Sequence, residues 1–202
     1  MDYENMIIRY MENHQGYITN KEAIQLGVPT VYLTRMMNKN KINKVERGIY
    51  MLPTIFEDNL YIYYLRYNKI VYSGQTALVI NEMSNTSLRK IEANVPHNYN
   101  THRINDFKVN RVSNVIYNLG KEMIETEFGN KVPTYNKERV LCDIYREDYL
   151  DTEALNYAIK IAKMKKIDYE HLYEYSIALN VYEKIKFLLE IRDEYGKIKE
   201  RN

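Results

Sequence analysis

The spacing of apolar and polar positions changes partway through the first fifty residues. Apolar residues recur at helical intervals over 3–14, over 21–27 and over about ten residues that begin at Thr30, which predicts three helices. The segments 42–45 and 49–52 then alternate apolar and polar residues on either side of a Glu-Arg-Gly turn, which predicts a hairpin. Three helices followed by a hairpin is the order of a winged helix-turn-helix.

The rest of the chain mixes helical and alternating patterns, and the acidic segment 57–59 marks a boundary. We predict an α+β fold with two domains: a winged helix-turn-helix over 1–56, then a mixed α/β domain over 57–202 with a helical C-terminal tail. Ser73 is expected to cap one helix of the second domain, and another helix is expected to open after Pro133 with Thr134 or Asn136 as its cap. The predicted strands cover 69–73, 90–95, 107–112 and 122–128, and the tail helices cover 151–166, 168–179 and 181–199.

The composition is that of a globular protein. Hydrophobic residues make up 45% of the 202 residues and charged residues 28%. No apolar run approaches the roughly 18 residues that a membrane-spanning helix needs, and the first ten residues lack the pattern of a secretion signal. Cys142, the single cysteine, leaves no intrachain disulfide and fits a reducing compartment. We therefore expect a cytoplasmic protein with no membrane partner.

The positive charge is concentrated near the N-terminus. The formal net charge is only +2, but residues 1–56 carry seven Lys and Arg against five Asp and Glu, whereas the remainder of the chain is balanced. Residues 30–50 contain five basic side chains and a single acidic one, Glu46. Because a phosphate backbone responds to the local charge, this segment is a candidate DNA-binding surface.

The third helix and the hairpin have the residue types that a duplex requires. The second helix of a helix-turn-helix pair enters the major groove, where Arg35 can donate two hydrogen bonds to a guanine. A following wing brings basic side chains to the flanking phosphates. The alternative is a solvated basic face, or a winged module that binds protein. The candidate DNA-binding residues are Thr30, Tyr32, Thr34, Arg35, Asn38, Lys39, Lys41, Lys44 and Arg47.

The candidates for catalysis are weaker, and we predict neither an enzyme nor a cofactor. Arg139 and Asp143 have the spacing of an exposed helix salt bridge, beside Glu138. Cys142 is expected to be buried, and Ser73-Gly74 lacks the paired acidic residues of a nucleotidyltransferase site. No metal site is predicted around the histidines His14, His97, His102 and His171. A second basic cluster either extends a DNA contact or is a solvated face: Lys160, Lys163, Lys165 and Lys166.

The segment from Leu26 to Pro53 resembles the N-terminal domain of the AbiEi family, the antitoxins of type IV abortive-infection (AbiE) toxin–antitoxin systems. Second-domain motifs around Ser73 and Glu138 are similar to the family more loosely, with Gly74 standing where a His is common and Lys137 where a Pro is frequent. The positions that carry the N-terminal resemblance are Leu33, Arg35, Ile42, Val45, Arg47, Gly48, Ile49, Tyr50 and Pro53.

This resemblance implies two roles. The winged domain is expected to bind inverted repeats in its own promoter and repress the operon, and the C-terminal domain to counteract a nucleotidyltransferase-like toxin without necessarily forming a stable complex with it. Two alternatives stay open at this point: a ligand-responsive winged-helix regulator, and a nuclease or nucleotidyltransferase targeted by its N-terminal domain.

Overall fold

A computed structural model describes residues 2–147 and 150–199, with side chains described as far as residue 190. The described chain is a mixed α+β protein with helices at its N-terminal end and a helical C-terminal stretch, which confirms the predicted class at this level. It forms two compact units. The first comprises Met1–Asn68 and Glu125–Val132, and the second comprises Lys69–Ile124 and Pro133–Asn202. The first unit thus extends twelve residues beyond the predicted boundary at 56 and includes a later segment.

The first unit combines four helices with a three-stranded antiparallel sheet in the described chain. The strand order is β1-β3-β2, so the first strand pairs with the far arm of the predicted hairpin. Its elements are α1 (Tyr3–Glu12), β1 (Tyr17–Thr19), α2 (Asn20–Gln25), α3 (Val31–Asn38), β2 (Asn43–Glu46), β3 (Ile49–Met51) and α4 (Asn59–Arg66).

Local signals in the sequence explain where these elements begin and end. Thr19 caps α2 through a reciprocal capping box with Glu22, which satisfies two backbone N–H groups at the start of the helix. Gly27 follows the end of α2 with φ +74°, a conformation that glycine adopts without strain. Thr30 directly precedes α3, and its side chain makes no capping hydrogen bond because its backbone is already helical.

Two apolar clusters form the core of the first unit. One joins α1, α2 and α3 through residues such as Ile7, Met11 and Leu33, which are wholly buried. The other packs Ile62 of α4 against the sheet. Met37, next to the wholly buried Met36 on α3, is only half-buried.

The second unit is built around a five-stranded mixed sheet. The strand order is β6-β5-β4-β8-β7; β4 runs parallel to β8 and antiparallel to β5, and β5 runs parallel to β6. Its elements are β4 (Val71–Tyr72), α5 (Gly74–Ile80), β5 (Glu92–Pro96), β6 (Lys108–Val112), α6 (Asn114–Asn118), β7 (Lys121–Glu125), β8 (Lys131–Tyr135), α7 (Lys137–Glu147), α8 (Thr152–Met164), α9 (Tyr169–Ala178) and α10 (Tyr182–Lys199). The last residue of β7 and the first two of β8 belong to the first unit.

Strand β8 and helix α6 were not expected from the sequence. Pro133 favours a turn or a helix start, yet it lies inside β8, an interior strand that pairs with both β4 and β7. The helix expected after Pro133 begins at Lys137, and Asn136 is the cap of the two predicted, because it accepts a hydrogen bond from the backbone N–H of Arg139 at 3.1 Å. The side chain of Ser73 does not cap α5; it donates to Asn94 at 3.2 Å.

The expected exposed salt bridge on α7 is in fact buried. Arg139 is wholly buried, and its Nε donates to Asp143 at 3.0 Å. Its Nη1 donates to the backbone carbonyls of Ile116 and Leu119, at 2.9 and 2.8 Å, and its guanidinium lies 4.3 Å from the centre of the Tyr135 ring. The pair therefore joins α7 to the segment around α6 and is part of the core of the second unit.

Cys142 lies beside this pair on α7 and is buried, as predicted. Burial raises the pKa of its thiol to about 12, because an apolar environment disfavours the thiolate. A thiol that stays protonated at neutral pH is a poor nucleophile, so Cys142 has a packing role.

Candidate nucleic-acid interface

Helix α3 has one buried face and one exposed face. Leu33 and Met36 are wholly buried against α1 and α2. A helix of eight residues that buries these two positions leaves the opposite side free of the core. That side carries the exposed candidates Thr34, Arg35 and Asn38.

Arg35 contacts one aromatic ring, which packs in turn on a second. Its guanidinium lies 5.1 Å from the centre of the Tyr32 ring, within the range of a cation–π interaction. Tyr32 is half-buried and packs in turn on Tyr3 of α1, with ring centres 4.8 Å apart. The contact with Tyr32 restricts the directions available to Arg35, and a restricted guanidinium loses less conformational entropy when it donates two hydrogen bonds.

Lys39 and Lys41 are held together by a carboxylate of α1. The Nζ of Lys39 and the Nζ of Lys41 each lie 2.7 Å from a separate oxygen of Glu4. These hydrogen bonds, that of Lys39 foremost, lower the pKa of Glu4 to about 2, and the bond to Glu4 raises the pKa of Lys41. One carboxylate and two ammonium groups together leave one net positive charge at this position.

The hairpin presents Lys44 and Arg47 to solvent. Lys44 lies on β2, and Arg47 lies with Gly48 in the turn between β2 and β3. Gly48 has φ +75°, which such a tight turn requires. Glu46 stabilises the hairpin. Its carboxylate accepts hydrogen bonds from the backbone N–H of Arg47 at 2.7 Å and from Nη1 of Arg66 at 2.6 Å.

All nine candidate residues lie in the first compact unit. Thr30 and Tyr32 are half-buried, and the other seven are exposed. The structure brings together Arg35 with Tyr32, and Lys39 with Lys41. It also shows two charged side chains that the sequence did not single out, Glu4 and Arg66. Charge counts over the local segment missed them because they lie 20 or more residues away from their partners.

Other kinds of site have less support. No group of three or more His, Cys, Asp or Glu side chains that could hold a metal ion occurs in the part of the chain that the structure describes. The same described residues include no helix of the length and apolar character that crossing a bilayer demands. In the second basic cluster, Lys165 pairs with Glu82 at 2.6 Å, while Lys160, Lys163 and Lys166 are exposed.

One comparison with known proteins bears on this surface. Residues 5–53 match a family described as transcriptional regulator, AbiEi antitoxin. The match spans α1 to β3 and includes all nine candidate residues. It confirms the family resemblance that the sequence indicated. The family is one of regulators and antitoxins rather than enzymes. No curated protein matches the chain.

Proposed function

Because its N-terminal segment is that of the AbiEi antitoxin family, we propose that this chain is an antitoxin that also represses its own operon. In this proposal the first unit is a winged helix-turn-helix that binds inverted repeats in the promoter. The second activity, carried by residues 57–202, counteracts a nucleotidyltransferase-like toxin, with or without a stable complex, in the cytoplasm.

The observation that carries the DNA-binding half is the exposed surface of α3 and the hairpin. Arg35, Lys44 and Arg47 are exposed, and the carboxylate nearest the turn, Glu46, is engaged with a backbone N–H and with Arg66. Three helices followed directly by a hairpin is the element order of a winged helix-turn-helix, and this order supports the proposal that α3 is the recognition helix and the hairpin the wing.

Two kinds of contact follow from this arrangement. Arg35, with Thr34 and Asn38 beside it, would face base edges and provide sequence discrimination. The hairpin cations Lys44 and Arg47 would face phosphates, where they provide affinity that falls as the salt concentration rises. The proposal therefore predicts different behaviour for an arginine on α3 and an arginine in the turn.

The test is fluorescence anisotropy of the full chain on duplex DNA from the region upstream of its gene, with a scrambled duplex for comparison. Arg35→Ala should lose about 1–3 kcal/mol of binding free energy on the specific duplex, and with it the discrimination between the two duplexes. Arg47→Ala should weaken binding to both duplexes and flatten the plot of log Kd against log salt by about one unit.

A matched control is Lys90→Ala, which removes an exposed cation from the second unit. Its affinity and salt dependence should equal those of the wild type. Undiminished affinity in the triple variant Arg35→Ala, Lys39→Ala, Arg47→Ala would refute the proposed interface.

A further inference from the structure

The Glu4 carboxylate accepts hydrogen bonds from Lys39 and Lys41, the two lysines that come directly after α3 in the sequence. Each of its oxygens accepts a hydrogen bond of 2.7 Å, one from Lys39 and one from Lys41. These partners lie 35 and 37 residues from Glu4 in the sequence. An anion that bridges two ammonium groups through separate oxygens has the hydrogen-bonding pattern that a DNA phosphate makes with a pair of lysines.

The exposures of the three side chains show which of them can change partner. The Glu4 side chain is 22% exposed, whereas those of Lys39 and Lys41 are 57% and 51% exposed. Glu4 lies in the first turn of α1, where a negative charge also interacts favourably with the helix dipole. The carboxylate is therefore the more confined group, and the two ammonium groups stay accessible to an anion from solvent.

We propose that Glu4 is an intramolecular competitor of DNA, a carboxylate that occupies the phosphate-binding positions of Lys39 and Lys41 and so limits the affinity of the chain for a duplex. This inference rests on the proposed DNA binding by α3 and the hairpin. It divides the cations there into two classes. Arg35, Lys44 and Arg47 are available to DNA, and the two lysines are engaged until Glu4 is displaced.

The electrostatics favour a competitor that can be displaced. Ion pairs between exposed side chains contribute little stability, so a phosphate can exchange with the carboxylate on the lysines. A phosphate that approaches them also meets the negative charge of Glu4 at close range, which opposes binding. Both effects weaken the affinity at low salt and are screened as the salt concentration rises.

The experiment compares Glu4→Gln with Glu12→Gln on the same duplexes over a series of salt concentrations. Both variants remove one negative charge from α1, but Glu12 is exposed at the other end of that helix and is not the partner of Lys39 or Lys41. Glu4→Gln should bind about tenfold more tightly at low salt. Its plot of log Kd against log salt should steepen by about two units, because two further phosphates are neutralised.

The gain should depend on the two lysines. Adding Lys39→Ala and Lys41→Ala to Glu4→Gln should return the affinity and the slope to wild-type values. Circular dichroism and thermal unfolding of each variant establish that the fold is retained, and the increase in affinity is itself a readout that misfolding would not produce.

The outcomes separate this inference from the proposed function. If the wild type binds DNA and Glu4→Gln binds no more tightly than Glu12→Gln, Glu4 is not a competitor, and the DNA-binding proposal stands. Weaker binding by Glu4→Gln would likewise overturn the inference, because Glu4 would then be positioning the lysines for DNA. If neither the wild type nor Glu4→Gln binds any duplex, both proposals fail.

Discussion

Two arginines of this chain show how strongly the surroundings decide the role of a side chain. Arg35 is exposed on α3, and one tyrosine ring lies 5.1 Å from its guanidinium. Arg139 is wholly buried on α7, with Asp143, two backbone carbonyls and a tyrosine ring as its partners. Both lie next to aromatic rings. Only Arg35 is free to meet a ligand, and Arg139 has a structural role.

At the residue scale we predict a large loss of stability in Arg139→Met. Methionine fills a similar volume but leaves Asp143 buried, and among the described residues its remaining cationic partner is then Arg146, at 3.2 Å. Breaking a buried ion pair from one side costs about 3–5 kcal/mol, because the remaining charge has lost its solvation. The measurement is the free energy of unfolding in urea.

The double variant Arg139→Met, Asp143→Leu is the control for this prediction. It removes both buried charges and should recover part of the lost stability, since an apolar pair of similar volume can replace a buried ion pair. A double variant that is less stable than Arg139→Met would show that lost packing, rather than the uncompensated charge, dominates the effect.

At the scale of the elements, α4 depends on Asp58, which lies in the acidic segment 57–59 that was predicted to mark a domain boundary. Asp58 is buried and caps α4, accepting the backbone N–H of Tyr61 at 3.1 Å. Its second carboxylate oxygen accepts from Thr126 at 2.6 Å and from Asn130 at 2.7 Å. One carboxylate thus starts a helix and holds the segment 125–132 within the same compact unit.

At the element scale we predict that Asp58→Ala lowers the free energy of unfolding by about 2–4 kcal/mol. The lost cap contributes about 1 kcal/mol, and the buried donors of Thr126 and Asn130 lose their acceptor. The control is Asp151→Ala, which removes an exposed cap from α8 and should cost only about 1 kcal/mol. Equal losses in urea unfolding of the two variants would contradict the role assigned to the buried contacts.

For the molecule as a whole, the division into two compact units leads us to expect that the two proposed activities are separable. The candidate DNA-binding residues all belong to the first unit. The buried polar and apolar network around α7 belongs to the second unit, which has its own core of strand and helix residues. A chain of this construction can lose one activity through surface substitutions without unfolding the unit that carries the other.

At this scale we predict that DNA binding and protection from the toxin are separable. The full chain, expressed from an unrelated promoter, should restore the growth of cells that produce the proposed toxin. The double variant Arg35→Ala, Arg47→Ala should restore growth equally well, although it no longer binds DNA. Growth and anisotropy measurements on the same variants test this, and a variant that loses both activities while its thermal unfolding is unchanged would contradict the division.

Much of the first unit could be predicted from the sequence because its signals act over a few residues. The capping box of Thr19 and Glu22, Gly27 after α2 and the Arg47-Gly48 turn each specify local backbone geometry. In the second unit, β8 escaped prediction because Pro133 signals a helix start locally, whereas pairing with strands distant in sequence makes the segment an interior strand.

The sequence by itself determined the order of helices and strands around the candidate interface, and it determined which residue types lie there. Tertiary structure alone decided which charges remain available. It brought Glu4 onto Lys39 and Lys41, left Arg35 and Arg47 exposed, and buried Arg139. The physical reason is range: hydrogen bonding and periodicity within an element are encoded by neighbours, whereas the solvation and pairing of a charge depend on every group that folding brings near it.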